Sequence, residues 1–210
     1  MRARLDVAAV PAGAVEEAAA TCRALFGDRF ETREDLLPIS LSNLNPPAHM
    51  ASALCNFTRI ERGETWFNYD GITPSVARLI EALDVERLAI AKAFGVRVRT
   101  VFEHYRLSFR DAKGDTIAEM AAAIHEARKG PPGPTDLNTR FVTEDVPFGL
   151  HPISVLGTSV NVPTPLHDAG ITLFSALYGR DFRKENTLLP TLGLDHPSKL
   201  RGLLRAGFSS

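Results

Sequence analysis

Residues 73–95, TPSVARLIEALDVERLAIAKAFG, contain the longest helical pattern in the sequence. Thr73 is a favourable N-cap residue, Pro74 is a favourable first helical residue, and Gly95 is typical of a helix end. Apolar residues recur between them at helical spacing, at Val76, Leu79, Ile80, Leu83, Leu88 and Ala91. The stretch therefore predicts a long helix that packs one face against a core.

Further helical patterns occupy most of the chain from residue 39 onward. Helices are predicted over 116–129, within 146–160, over 164–178, and from His196 toward the end of the chain. Residues 96–109 are ambiguous, because three valines there also permit extended chain. Residues 131–134 form a proline-rich loop rather than a domain boundary, since the helical pattern resumes after them. We predict an all-α bundle over 39–210.

The first 38 residues have a different pattern. Residues 5–12 read as a short buried strand that proline ends, and residues 14–26 read as a helix that Gly27 stops. A lone strand would leave its backbone donors and acceptors unsatisfied. We therefore predict that residues 1–38 are the end of an α/β domain whose earlier part is missing, and that 39–210 are a separate domain.

The composition excludes several classes of protein. A hydrophobic content of 44% and a charged content of 23% are typical of a globular domain. The net charge of -1 argues against a nucleic-acid partner, and no apolar run approaches the roughly 20 residues that cross a bilayer. Cys22 and Cys55 are too few for a disulfide framework and lack metal-ligand spacing, so we expect reduced, buried thiols, no metal site and a cytoplasmic location.

A first candidate for chemistry is the segment NPPAH, residues 45–49. Asn45 can cap a helix that starts with two prolines, which places His49 near the positive end of the helix dipole. Ser52 and Asn56 continue a polar stripe along the same face. Such a histidine suits a general acid beside a carboxylate substrate, and it equally suits a capping or core histidine whose nitrogens are satisfied.

A second candidate is the segment RFVTEDVP, residues 140–147. Asp145 precedes a predicted helix, and a buried aspartate can fix the tautomer of an imidazole. Arg140 lies in predicted loop or extended chain, and a guanidinium is a natural bidentate partner for a substrate carboxylate. The alternative is a local salt bridge between Arg140 and Asp145 with no catalytic meaning.

The order and separation of these segments resemble the C-terminal domain of the opine dehydrogenases, the octopine/nopaline dehydrogenase family. The resemblance extends over nearly the whole chain, through residues 43–49, 71–87, 140–147 and finally NVPTP at 161–165. Met50 departs from a common proline, and Phe141 departs from a frequent tyrosine. The resemblance implies a mainly α fold, a helical bundle of the dehydrogenase C-terminal-domain type (6-phosphogluconate dehydrogenase C-terminal-like). The short β/α segment before it would be the remnant of a truncated Rossmann domain.

The resemblance also implies a reaction. The family reductively joins a 2-oxo acid, typically pyruvate, to the amino group of an amino acid with NADH or NADPH. Carried over to this sequence, His49 and Asp145 would form the catalytic dyad and Arg140 would hold a substrate carboxylate. We assign Asn45, together with Arg140, to substrate binding.

The sequence contains no Gly-x-Gly-x-x-Gly turn. NAD or NADP would therefore be bound mainly by an absent Rossmann domain, in cis or in trans, and we expect the chain to be inactive alone. It would be a fragment, one product of a split gene, or a relic that only binds ligand. Apolar surface on the truncated side would favour self-association, for which a homodimer is one form.

Two alternatives to the opine reading stay open. One is a non-catalytic helical ligand-binding or dimerisation module derived from this fold. The other is a hydroxyacid dehydrogenase domain similar to ketopantoate reductase, which a catalytic lysine on a bundle helix would favour. The lysines in the sequence lie at exposed-looking or terminal positions, which ranks that reading lowest.

Overall fold

The computed structural model describes residues 5–193 and Gly202, and these residues are mainly helical, as the sequence predicts. The strands are β1 (Leu5–Val7) and β2 (Phe30–Thr32). The α-helices are α1 (Val15–Phe26), α2 (Leu37–Ser40), α3 (Asn45–Cys55), α4 (Phe57–Glu61), α5 (Pro74–Phe94), α6 (Val101–Ser108), α7 (Ile117–Arg128), α8 (Arg140–Thr143), α9 (His151–Ser159), α10 (Pro165–Tyr178), α11 (Phe182–Glu185) and α12 (Leu188–Thr191). A 3₁₀ turn spans Ala12–Ala14 and a π-helical segment spans Val146–Leu150.

The N-terminal strand has a partner, so the expectation of a lone strand is wrong. β1 pairs in parallel with β2, with Leu5 opposite Phe30 and Val7 opposite Thr32, and α1 is the crossover between them. β1 ends at Val7 and is only partly buried, whereas the sequence predicted a buried strand as far as residue 12. A parallel strand–helix–strand unit is the building block of α/β domains. The assignment of residues 1–38 to such a domain stays a prediction.

Helix α5 lies at the centre of the helical region and has the predicted ends. Thr73 is its N-cap residue, and Gly95 ends it in the left-handed conformation with φ of 75°. Ile80, Leu83 and Ile90 are fully buried on it, so the predicted apolar face does form a core. α5 contributes to both hydrophobic clusters of the described residues, and it packs against α3, α6, α7, α9 and α10.

A charged group lies inside this helix-lined core, which the apolar pattern did not reveal. The guanidinium of Arg87 is fully buried and donates to Asp84 Oδ1 at 2.6 Å and to the carbonyl oxygen of Arg99 at 2.6 Å. It also donates to the carbonyl oxygen of Leu41, just ahead of α3. The other oxygen of Asp84 accepts the Val101 N–H at the start of α6. α5 therefore fixes the backbone that leads into α3 and into α6.

The other predicted helices can be compared with the observed helix ranges. α7 and α10 occupy the predicted ranges, and residues 146–160 form the π-helical segment followed by α9. The ambiguous stretch 96–109 contains α6, because Thr100 and Glu103 form a reciprocal capping box that starts a helix there. The helix predicted from His196 lies outside the described residues. None of the helices within residues 5–193 is long and apolar enough to cross a membrane.

Candidate active site

The predicted histidine lies near the start of α3, although Asn45 does not cap this helix. The helix begins at Asn45, Leu44 is the N-cap residue, and no side chain there makes a capping bond. The two prolines after Asn45 have no N–H to offer a capping side chain, and the Ala48 N–H is donated to the Leu44 carbonyl oxygen. The Asn45 backbone N–H itself is accepted by the side chain of Asn43 at 3.2 Å. Asn45 is therefore left exposed on the first turn, one helical turn before His49.

The structure brings His49 and Asp145 together across 96 residues of sequence. His49 Nδ1 and Asp145 Oδ2 are 2.6 Å apart, and the two side chains are 16% and 13% exposed. Asp145 precedes the π-helical segment and does not cap it, because its carboxylate is engaged by the imidazole. A carboxylate accepts from Nδ1–H and so holds the imidazole in the tautomer whose Nε2 has a free lone pair. Among the described residues, Nε2 of His49 has no hydrogen-bond partner.

A second contact to the imidazole comes from Phe141. The two ring centroids are 3.7 Å apart and the ring planes differ by 5°. Phe141 and Asp145 are four residues apart, and both reach His49 from the same segment. In the sequence, Phe141 stands out only as a departure from the tyrosine that is frequent in the family. The four-residue spacing between Phe141 and Asp145 places both on one helical face, but it does not indicate that Phe141 contacts His49.

Close backbone packing sets the distance between α3 and the π-helical segment. A Cβ on Gly149 would lie 2.4 Å from Pro46 Cγ, and a Cβ on Gly170 would lie 2.4 Å from Met50 Cε. At Gly149 the obstacle is a rigid proline ring, so a larger residue would force the two segments apart, whereas at Gly170 the flexible end of Met50 could move. The first turn of α3 is thus in contact with the segment that follows Asp145 and with α10. π-helical turns often occur at functional sites.

The predicted polar stripe on α3 does not line one open surface. Ser52 and Asn56 are 1% and 8% exposed. The Ser52 hydroxyl donates to Asn68 Oδ1 at 2.9 Å, and Asn56 Nδ2 donates to the carbonyl oxygens of Ser52 and Gly71. Ser52 and Asn56 therefore bind the segment that leads into α5. Of the four residues in the polar stripe, only His49 and Asn45 remain available to a ligand.

Arg140 does not contact the histidine–aspartate pair. It lies on α8 rather than in loop or extended chain, and its side chain is 65% exposed. Nε of Arg140 is 3.6 Å from Glu144 Oε2, an exposed ion pair between successive helical turns. The local-salt-bridge alternative had paired Arg140 with Asp145, but the partner of Arg140 is Glu144. Exposed ion pairs of this type contribute at most about 1 kcal/mol, so the guanidinium can exchange Glu144 for another carboxylate.

A second carboxylate–imidazole pair has the same geometry but is sealed in the interior. His167 is 0% exposed, and its Nδ1 lies 2.6 Å from Glu86 Oε2. Glu86 also accepts the backbone N–H groups of Leu166 and His167, so it satisfies the start of α10. Burial alone would raise the pKa of Glu86, but the hydrogen bonds from the His167 side chain and these two N–H groups lower it. The His167–Glu86 pair therefore braces α10 against α5.

Neither of two cavities within residues 5–193 fits the pyrophosphate of a dinucleotide. No Gly-x-Gly-x-x-Gly turn occurs in its 210 residues. A cavity of about 350 Å³ beside the start of α5 contains Asp70 and Glu119 and is lined by no lysine or arginine. One of about 380 Å³ contains Lys92 and Arg97, but it lies at the C-terminus of α5, the negative end of the helix.

Metal and cysteine chemistry find no support in the described part of the chain. Residues 5–193 contain no group of three or more His, Cys, Asp or Glu side chains placed to hold a metal ion. Both cysteines are free thiols, but Cys55 is exposed and Cys22 is half-buried, so the prediction that both are buried is wrong. Burial of part of the side chain still raises the pKa of the Cys55 thiol, which disfavours the reactive thiolate.

Comparison with known proteins identifies the family. Residues 32–178 match the family model described as NAD/NADP octopine/nopaline dehydrogenase, alpha-helical domain, a range that includes all four predicted site residues. An opine dehydrogenase from Arthrobacter sp. (strain 1C) is 45% identical over 184 residues, which cover 84% of this chain and 47% of the relative. The chain spans about half the length of that relative.

Solved structures agree in fold. Octopine dehydrogenase with NADH and L-arginine superposes with a TM-score of 0.69 at 18% identity, over 93% of this chain and 56% of the other. Octopine dehydrogenase with NADH and agmatine gives a TM-score of 0.68 at 16% identity, over 91% and 55%. Together with the sequence matches, these results show that the chain belongs to the octopine/nopaline dehydrogenase family and contains that family's α-helical domain.

Proposed function

We propose that this chain is the substrate-binding and catalytic part of an NAD(P)-dependent opine-type dehydrogenase. The whole protein would reductively join a pyruvate-like 2-oxo acid to the amino group of an amino acid. The observation that carries the proposal is the His49–Asp145 hydrogen bond of 2.6 Å, formed inside a domain of a dehydrogenase family. Membership of that family also ranks this function above that of a ketopantoate-reductase-like enzyme.

The proton chemistry of such a condensation suits the pair. Joining an amine to a 2-oxo acid forms a carbinolamine, and loss of water from it requires a proton on the departing hydroxyl. With Nδ1 engaged by Asp145, the Nε2 edge of His49 is the atom that can give or take that proton. Asp145 stabilises the imidazolium that forms in between. A reduced nicotinamide supplies the hydride that completes the reaction.

Substrate carboxylates need cationic partners, and Arg140 is the proposed one. It lies next to Phe141 and five residues before Asp145, so it borders the segment that holds His49. Its exposed pairing with Glu144 costs little to exchange for a substrate carboxylate. Asn45, exposed one turn before His49, is proposed to donate a hydrogen bond to the same substrate.

Exposed leucines on α10 favour a second candidate, a module that binds a ligand or a second copy of the chain without catalysis. Leu173 and Leu177 are each 47% exposed and four residues apart on α10. They would be covered by another protein surface, whether a Rossmann domain or a second copy of the chain. This candidate predicts ligand binding or self-association without any consumption of cofactor.

The test uses the chain joined to a matching NAD(P)-binding domain, with NAD(P)H absorbance as the readout. Cofactor should be consumed when pyruvate and an amino-acid pool are both present, and only slowly with either alone. His49→Ala should abolish the joint reaction, whereas His104→Ala, on α6, should not. Consumption that is the same in His49→Ala, or that needs no amine, would overturn the proposal.

A further inference from the structure

We infer that Phe141 is a positioning residue whose ring holds the His49 imidazole in its working orientation, an inference that rests on the proposed function. The rings lie nearly parallel at a centroid separation of 3.7 Å, with an angle of 5° between their planes. No hydrogen bond is involved, so this contact is independent of the one made by Asp145.

A single hydrogen bond does not fix an imidazole. The bond from Nδ1 to Asp145 leaves the ring able to rotate about that bond and to tilt out of the plane. Contact with the flat face of Phe141 removes the tilt, because any rotation would drive ring atoms into the phenyl ring. Together the two contacts define where Nε2 lies. Proton transfer depends steeply on such placement.

Phe141 is itself held by its own segment. Thr139 is the N-cap residue of α8, and its hydroxyl accepts the Phe141 backbone N–H at 3.3 Å. Two valines flank this segment, Val142 before Asp145 and Val146 after it. Both are fully buried in the larger of the two hydrophobic clusters. The ring of Phe141 and the carboxylate of Asp145 therefore belong to one anchored unit, which contacts His49 at a face and at an edge.

The geometry suits a histidine that changes its charge. Neutral aromatic pairs prefer offset or edge-to-face contacts at centroid distances of roughly 4.5–7 Å. A cation instead favours the face of an aromatic ring. The short, nearly parallel stack thus accommodates the imidazolium through which a general acid must pass, and it does so without adding a hydrogen-bonding group that could compete with substrate.

Plain packing is the competing explanation, since Phe141 also touches the main hydrophobic cluster. The two explanations separate on chemically matched variants. Phe141→Leu keeps apolar volume and removes the ring face, while Phe141→Tyr keeps the face. Phe102→Leu changes another half-buried phenylalanine that packs against the same cluster on α6. A packing role would make the two leucine variants alike.

The experiment measures kcat and KM of the chain joined to a matching NAD(P)-binding domain. We expect Phe141→Leu to lower kcat about ten-fold with KM changed less than about two-fold. Phe141→Tyr should keep kcat near that of wild type, and Phe102→Leu should lower only the melting temperature. Wild-type kcat in Phe141→Leu, or a loss matched by Phe102→Leu, would overturn the inference. If His49→Ala is also fully active, the proposed function itself has failed.

A spectroscopic readout does not depend on turnover. In ¹⁵N-histidine-labelled protein, ring current from Phe141 should shift the His49 ring protons upfield in wild type and in Phe141→Tyr. In Phe141→Leu the shift should vanish, and the two ¹⁵N signals of His49 should broaden because the imidazole tilts against Asp145. Unchanged ¹⁵N signals in Phe141→Leu would show that Asp145 alone orients the ring, and would overturn the positioning role.

Discussion

Replacement of Asp145 by asparagine removes the charge that faces His49 while keeping the shape of the side chain. The two groups are 2.6 Å apart and only 16% and 13% exposed, so solvent screens them weakly. Unit charges about 4 Å apart at an effective dielectric constant of about 20 interact by about 4 kcal/mol. That energy corresponds to a factor of about 10³ in rate if all of it acts in the transition state. General acid–base catalysis contributes about 10²–10⁴, so we expect kcat to fall by about 10²–10³.

The assay is steady-state NAD(P)H oxidation by the chain joined to a matching NAD(P)-binding domain. KM should change little, since Asp145 contacts the imidazole rather than the substrate in this scheme. Asp115→Asn, an exposed acid at the start of α7, is the matched control and should leave kcat unaltered. A folded Asp145→Asn protein whose kcat stays within about three-fold of wild type would show that the pair is structural.

Three further perturbations test the surroundings of the pair. Gly149→Ala should push the π-helical segment away from Pro46, which should lower kcat by on the order of ten-fold or more and lower the free energy of unfolding by about 1–3 kcal/mol. Gly13 has open space around it, so Gly13→Ala should change neither quantity. Steady-state kinetics measure kcat, and urea unfolding measures the stability. Arg140→Lys should raise KM for the carboxylate substrates more than it lowers kcat, with an unchanged melting temperature, because the side chain is exposed. Glu86→Gln should lower stability at neutral pH by about 1–3 kcal/mol. Folding lowers the pKa of Glu86, so the carboxylate stabilises the folded state at every pH above the ordinary carboxyl pKa. This stabilisation disappears as the pH falls through the pKa of Glu86 in the folded protein. The stabilities of wild type and Glu86→Gln should therefore converge in acid-unfolding curves.

The helices with strong end signals were predictable from sequence. Thr73, Pro74 and Gly95 mark the ends of α5 because capping and backbone restriction act within a few residues. β2 was missed because three residues contain too little alternation to recognise, and its stability comes from pairing with β1. The capping role of Asn45 was wrong because the two prolines that follow it have no N–H, and the next amide, that of Ala48, is donated to the Leu44 carbonyl oxygen.

The meeting of His49 and Asp145 was predictable, the rest of the arrangement was not, and the catalytic role of the pair stays a prediction. The resemblance to the family supplied His49 and Asp145, and the hydrogen bond between them confirms that they meet. The stack of Phe141 on His49 joins residues far apart in sequence, and an isolated aromatic residue gives no sign of its partner. Arg140 was placed in extended chain because its four-residue helix is too short for a periodic signal, and its substrate contact stays a prediction.

Identification of the product is the most direct test of the proposed function. The chain joined to a matching NAD(P)-binding domain would be incubated with ¹³C-pyruvate, an amino-acid pool and NAD(P)H, and the mixture analysed by mass spectrometry. We predict a labelled secondary amine whose mass equals the sum of pyruvate and one amino acid, less one oxygen. That product should be absent with His49→Ala. Labelled lactate in place of a conjugate, or equal yields of conjugate from wild type and His49→Ala, would contradict the assignment of His49 as the proton-transferring group of an opine-type dehydrogenase.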